Sequence, residues 1–180
     1  ELPEKAAYTY VIGADEWKKW DAFPVQETKE QSWLLQKEGG LVEAEEGRNV
    51  HVPLNMQEQE KKKQDEAWQD EVQSFVYDPE HPVISHGAES LFHTQEDVGS
   101  LLQPGSRDDV ISFTSEPLPE AMEIEGKIRA HLFVSSDAED TAFSAKLMEV
   151  FENGETVNIR GSITTLAYRN GAGHRGSYTP

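Results

Sequence analysis

Residues 122–134 read MEIEGKIRAHLFV. Met122, Ile124, Gly126, Ile128, Ala130, Leu132 and Val134 alternate with Glu123, Glu125, Lys127, Arg129 and His131. That period of two belongs to a half-buried strand, since a helix would repeat its apolar positions every three to four residues. The alternation resumes at Phe143, Ala145 and Leu147, and Asn153-Gly154 predicts a tight hairpin turn with positive φ angles. A return strand follows as Val157, Ile159 and, after Gly161, Ile163. Upstream, Asp109 to Phe113 predicts a shorter strand, closed by Glu116-Pro117 and Leu118-Pro119 because proline cannot donate to a ladder. Nearer the start, Tyr8, Tyr10 and Ile12 alternate as a strand, Trp17 to Trp20 suits one helical turn, and Ser32 to Leu35 forms a short strand before Gly39-Gly40. Pro79, His81, Pro82 and Gly87 mark a long connecting loop. Closely spaced strands without intervening helical periodicity predict an all-β antiparallel sandwich or barrel.

The chain has 180 residues, enough for a single domain over 1–180 that buries roughly two-thirds of its unfolded surface. It opens on Glu1 with no charged-then-apolar leader, and no run approaches the roughly 20 apolar residues of a membrane span, so a soluble piece of a larger protein is expected. Cysteine is absent, which excludes disulfides and thiolate chemistry and fits a cytoplasmic setting. The net charge of -18 opposes nucleic-acid phosphates and anionic lipid, so neither nucleic acid nor membrane is expected as a partner. Much of that charge falls in an insert over 55–72, where QEQEKKKQDEAWQDE has Trp68 as its only large apolar residue. Such a stretch reads as a solvated helix or a loop.

Catalytic signatures are scarce. No Gly-x-Ser-x-Gly pentapeptide occurs, and Ser106 and Ser162, each after a glycine, read as loop or strand serines. His51, His81, His86, His93, His131 and His174 show no metal-binding spacing, so no metal and no cofactor are expected. Asp137, Glu139 and Asp140 lack the register of a calcium loop and read as turn formers whose carboxylates accept backbone N–H bonds, and Asp108-Asp109 reads the same way. The Gly171, Gly173, Gly176 spacing has no strand-to-helix context for phosphate binding. Trp17, Trp20, Phe23 and Trp33 suit a core corner or a sugar-stacking platform, with core the favoured reading.

From Arg107-Asp108-Asp109-Val110 onward the sequence resembles the C-terminal domain of the X-Pro dipeptidyl-peptidase, cocaine-esterase and α-amino-acid ester hydrolase group. The resemblance rests on an ordered series: Glu116-Pro117-Leu118, Gly126, Val134-Ser135-Ser136-Asp137, Asp140-Thr141-Ala142-Phe143, Lys146-Leu147-Met148-Glu149-Val150, Asn153-Gly154 and Tyr168-Arg169. Val11-Ile12-Gly13 with Trp17, and Tyr77-Asp78-Pro79 with Pro82-Val83, are similar to earlier family segments. The charged insert departs from the family pattern and reads as a surface elaboration. The family's late Gly-His-Arg segment is not carried over to Gly173-His174-Arg175, which comes too soon after Tyr168-Arg169.

The resemblance implies a galactose-binding-like jelly-roll sandwich packed against an N-terminal α/β-hydrolase domain of the same parent protein. The catalytic serine, aspartate and histidine would lie in that domain, so this chain is expected to hold no catalytic residue and to be inactive alone. It also implies that Leu91 and Phe92 contact the ester or peptide substrate at the hydrolase mouth; the alternative is that both are ordinary core residues. Relative to the family the last strands are expected to be missing, which predicts a homodimer by edge-strand pairing or capture of a detached peptide. The alternative functions are a stand-alone carbohydrate-binding module and a purely structural interaction domain.

Overall fold

The computed structural model describes residues 7–22, 25, 28–44, 72–84, 104–169 and 176. Leu91, Phe92, Phe23, His86 and the insert as far as Glu71 lie outside them. Among the described residues the chain is all-β, built as three antiparallel two-stranded ladders with one 3-10 turn.

The first ladder pairs β1 (Ala7–Val11) with β2 (Glu16–Trp20). Trp17 to Trp20 is therefore strand and not the expected helical turn. Cross-strand contacts decide the matter: the Trp17 ring meets Tyr10 with centroids 5.3 Å apart, and Trp20 Nε1 donates to Thr9 Oγ1 at 2.8 Å. The facing is also opposite to a simple apolar-in reading. Ala7, Thr9 and Val11 turn toward the protein, while Tyr8, Tyr10 and Ile12 are exposed, and Trp17 is 70% exposed and no core residue. Trp20 and Trp33 are half-buried.

The second ladder pairs β3 (Trp33–Leu35) with β4 (Leu41–Glu43). Its turn is joined to a distant segment by a parallel bridge between Gly40 and Thr114, in which Thr114 N donates to Gly39 O at 2.7 Å and Leu41 N donates to Thr114 O at 3.0 Å. The strand expected over Asp109 to Phe113 does not form, and the bridge falls on the next residue, Thr114. The first residues of that stretch are taken by a turn, with Val110 N donating to Arg107 O.

The third and longest ladder pairs β5 (Ala142–Val150) with β6 (Thr156–Thr165). Leu147 lies opposite Arg160 and Met148 opposite Asn158, so Ile159 is an extra residue at that step. A one-residue excess inverts side-chain parity, because successive residues of a strand face opposite ways. Phe143, Ala145 and Leu147 thus share a face with Thr164, Ser162 and Arg160 and not with Ile159 and Ile163. The turn closes through Phe151 N to Glu155 O at 2.9 Å and Gly154 N to Phe151 O at 2.8 Å. Only Gly154, with φ 84, takes the left-handed conformation there; Asn153 instead uses its Oδ1 to accept from Glu155 N at 3.0 Å.

At its open end this hairpin is clasped. Leu166 N donates to Thr141 O at 3.0 Å and Ala167 N donates to Asp140 Oδ1 at 3.1 Å, holding the 3-10 turn Leu166–Tyr168 against the start of β5. Leu166, Ala167 and Thr156 are the most enclosed side chains among the described residues.

The segment 122–134 forms no strand. Gly126 sits at its centre with φ 99, a conformation outside the pleated region, so the ladder pattern cannot run through it. Its charged side chains hold it instead: Glu123 pairs with Lys18, Thr9 Oγ1 donates to Glu125 Oε1 at 3.3 Å, and Arg129 lies 4.0 Å from Glu30. The alternate residues Met122, Ile124, Ile128 and Leu132 stay exposed.

Replacing Gly154 with Ala forces a Cβ into a left-handed position and should destabilise the fold by about 1–2 kcal/mol. Urea unfolding checks this, and an unchanged midpoint would show that the turn relaxes without cost.

Candidate functional site

Two turns far apart in sequence build the most developed polar site. In the first, Asp78 accepts from Glu80 N through Oδ1 at 2.9 Å and meets His81 Nδ1 through Oδ2 at 2.7 Å, while His81 N donates to Asp78 O at 3.2 Å. A short side-chain acceptor next to proline favours this geometry, since Pro79 fixes its own φ and Asp78 satisfies the following N–H. In the second turn Arg107 folds back on Asp109: Nε to Oδ1 and Nη2 to Oδ2 are each 2.6 Å. Arg107 Nη2 also donates to His81 O at 2.6 Å, which ties the two turns together. Gln73 Nε2 donates to Lys37 O at 2.6 Å and anchors the same wall to the β3–β4 turn.

Between them lies an open cleft of about 620 Å³, lined by Ser74, Phe75, Val76, Asp78, His81, Ser106, Arg107, Asp108 and Asp109. Its electrostatics follow from the hydrogen bonds. The His81 ring and then the Glu80 N–H hold the Asp78 carboxyl below its ordinary value, and the Arg107 guanidinium does the same for Asp109. In return Asp109 holds Arg107 above its ordinary value. The planar fork of arginine matches a carboxylate at two points, and its remaining contact goes to a backbone carbonyl.

Chemically this arrangement is a clamp between two loops. Among the described residues no three of His, Asp and Glu converge as metal ligands. Asp109 lies in a turn, as expected, and its carboxylate is in addition the ion-pair partner of Arg107. Asp140 does accept a backbone N–H, but from Ala167, distant in sequence. Ser162 lies on β6 as a strand residue, and Ser106 lines the cleft. The Tyr10 and Trp17 rings are tilted by 57° and offer no flat stacking platform. Leu91 and Phe92, expected to touch substrate, fall outside the described residues. Arg107 carried only one signal in the sequence, its place directly before Asp108-Asp109.

Three antiparallel ladders closed by local turns, with an ion-paired cleft between two loops, define an all-β module among the described residues. Residues 4–180 match the family described as the X-Pro dipeptidyl-peptidase C-terminal non-catalytic domain, and the chain belongs to that family. It is also 30% identical over 161 residues to Cocaine esterase of Rhodococcus sp. (strain MB1 Bresler), a match that covers 89% of this chain and 26% of that protein. The chain therefore spans about a quarter of the length of this curated relative. No solved structure matches it. No helix among the described residues is long and apolar enough to cross a membrane.

Because Asp78 and Asp109 have depressed values in the folded protein, the stability they contribute is complete above the ordinary carboxylate value of 3.8 and is lost as pH falls through their folded values. Acid titration followed by carboxyl chemical shifts should show both protonating below 3.8, and Asp109→Asn should remove part of the acid sensitivity of the fold. Titration of Asp109 at or above 3.8 would contradict the clamp.

Proposed function

We propose that this chain is the C-terminal β-domain of a larger serine hydrolase and acts by packing on an N-terminal α/β-hydrolase domain and helping to shape its substrate pocket. The observation that carries the reading is the family match over residues 4–180, in a chain equal to only a quarter of its curated relative. A non-catalytic domain of this kind contributes positioning and enclosure, while nucleophile, base and oxyanion donors reside in the partner domain. The complete domain is read as a galactose-binding-like jelly roll, with the charged stretch 55–72 as a surface elaboration. Its substrate is an ester or an amide, the classes named by the family and by the relative together. Leu91 and Phe92 are assigned to the acyl or proline side of the pocket. The lack of cysteine suits a cytoplasmic setting.

The exposed Met122, Ile124, Ile128 and Leu132 of one segment support the packing role, since a covering domain would remove their apolar surface from water. The last strands that the family pattern would add, if missing here, leave a sheet edge for a homodimer by strand pairing. Light scattering on the purified chain should return twice the monomer mass, and a monomeric mass would remove the dimer from the proposal.

Hydrolysis of a p-nitrophenyl ester and of an X-Pro anilide, measured for this chain beside the full-length protein, tests the assignment directly. Turnover is expected from the full-length protein alone; activity that stays with the isolated chain through further purification would overturn it. In the full-length protein, Leu91→Ala or Phe92→Ala should lower kcat/KM by roughly tenfold through lost apolar contact with substrate. Kinetics equal to the parent's would return both residues to the core.

A further inference from the structure

Lys146 stands in the middle of β5 with Gly161 of β6 as its cross-strand partner. A Cβ at Gly161 would meet nothing within 4 Å, so the place across the ladder from Lys146 is open space. Ser144 and Met148 on β5 and Ile163 on β6 share its face and bring no carboxylate to it. Glu149 and Arg160, the charged residues nearest along the two strands, are in register with Val157 and Leu147 and lie on the opposite face. Among the described residues Lys146 takes part in no ion pair, whereas Lys18 is clasped by Glu123. Lys146 is half-buried, and burial alone holds its amine below the ordinary lysine value, the reverse of Lys18.

We propose that Lys146 is an acyl-acceptor site, modified by activated esters of small carboxylic acids in preference to the exposed lysines of this domain. A half-buried ammonium without a counter-charge is the form that burial penalises, and an amide at the same place carries no charge. The neutral nitrogen attacks the ester carbonyl carbon. A C–N bond forms, the C–O bond to the leaving alcohol breaks, and the proton lost from nitrogen passes to solvent or to the departing oxygen. The gap beside Gly161 gives the acyl group room within the ladder. No residue lining the cleft lies on β5 or β6, and the proposal does not depend on the assignment of the parent enzyme.

The test is labelling of the full-length protein with substoichiometric N-hydroxysuccinimidyl acetate over a pH range of roughly 6 to 10 around the lysine titration, with site occupancy read by peptide mass spectrometry. Near neutral pH, Lys146 should be acetylated several-fold more than the exposed Lys19 and Lys127, and the ratio should fall toward unity as pH rises. Equal or slower labelling of Lys146 at neutral pH, or a ratio that does not change with pH, would overturn the proposal.

Discussion

The backbone ladder between β5 and β6 is the constraint on which the rest of this domain depends. Its length fixes the register, and the clasp from Thr141 and Asp140 to Leu166 and Ala167 prevents its open end from fraying. Both bonds satisfy amides that the end of a strand would otherwise leave without partners, and they do so where Leu166 and Ala167 are already removed from water. The same ladder carries its own irregularity. With Ile159 as an unmatched residue, the hairpin presents one set of side chains on each face before the bulge and the opposite set after it. The position of Lys146 across from Gly161 follows from that register, as does the outward turn of Ile163.

Much of this architecture was legible in the sequence. Alternation from Phe143 to Leu147, the Asn153-Gly154 turn and the return through Val157 give the longest hairpin with little ambiguity, because period and turn chemistry agree. The illegible parts have physical causes. Period two says that residues face opposite ways but not which way is inward, and at β1 the polar partners Trp20 and Glu125 hold Thr9 inward while Tyr8 and Tyr10 stay outside. The strongest alternation, over 122–134, is interrupted by the backbone of Gly126 and held by carboxylates on its polar side, so its apolar side chains find no ladder of their own. The cleft was equally hidden. Its two halves, Asp78 to His81 and Arg107 to Asp109, look like separate turns until one guanidinium spans them.

Charge distribution explains why that guanidinium matters. With 34 acidic and 16 basic residues, a carboxylate in this chain meets more like charge than opposite, and cations are the scarce component. Arg107, Lys18 and Arg129 are each spent on a contact between segments distant in sequence: Arg107 with the His81 carbonyl, Lys18 with Glu123, Arg129 with Glu30. Exposed pairs of this kind contribute little individually, yet here they determine which loops lie side by side. The polar contacts thus set arrangement, and the ladders supply cohesion.

The bridge between Gly40 and Thr114 has a kinetic meaning. Each of the three hairpins joins strands that are neighbours along the chain, and such units close within microseconds. Joining the β3–β4 turn to Thr114 instead encloses a stretch of chain that contains the entire charged insert, and the entropy of closing so long a loop is lost before two hydrogen bonds are gained. The hairpins are therefore the early units of folding, and this junction is a late event whose rate is governed by the length and self-repulsion of the intervening chain. In an acidic sequence, ionic strength then becomes a control on how fast the domain matures as well as on how stable it is.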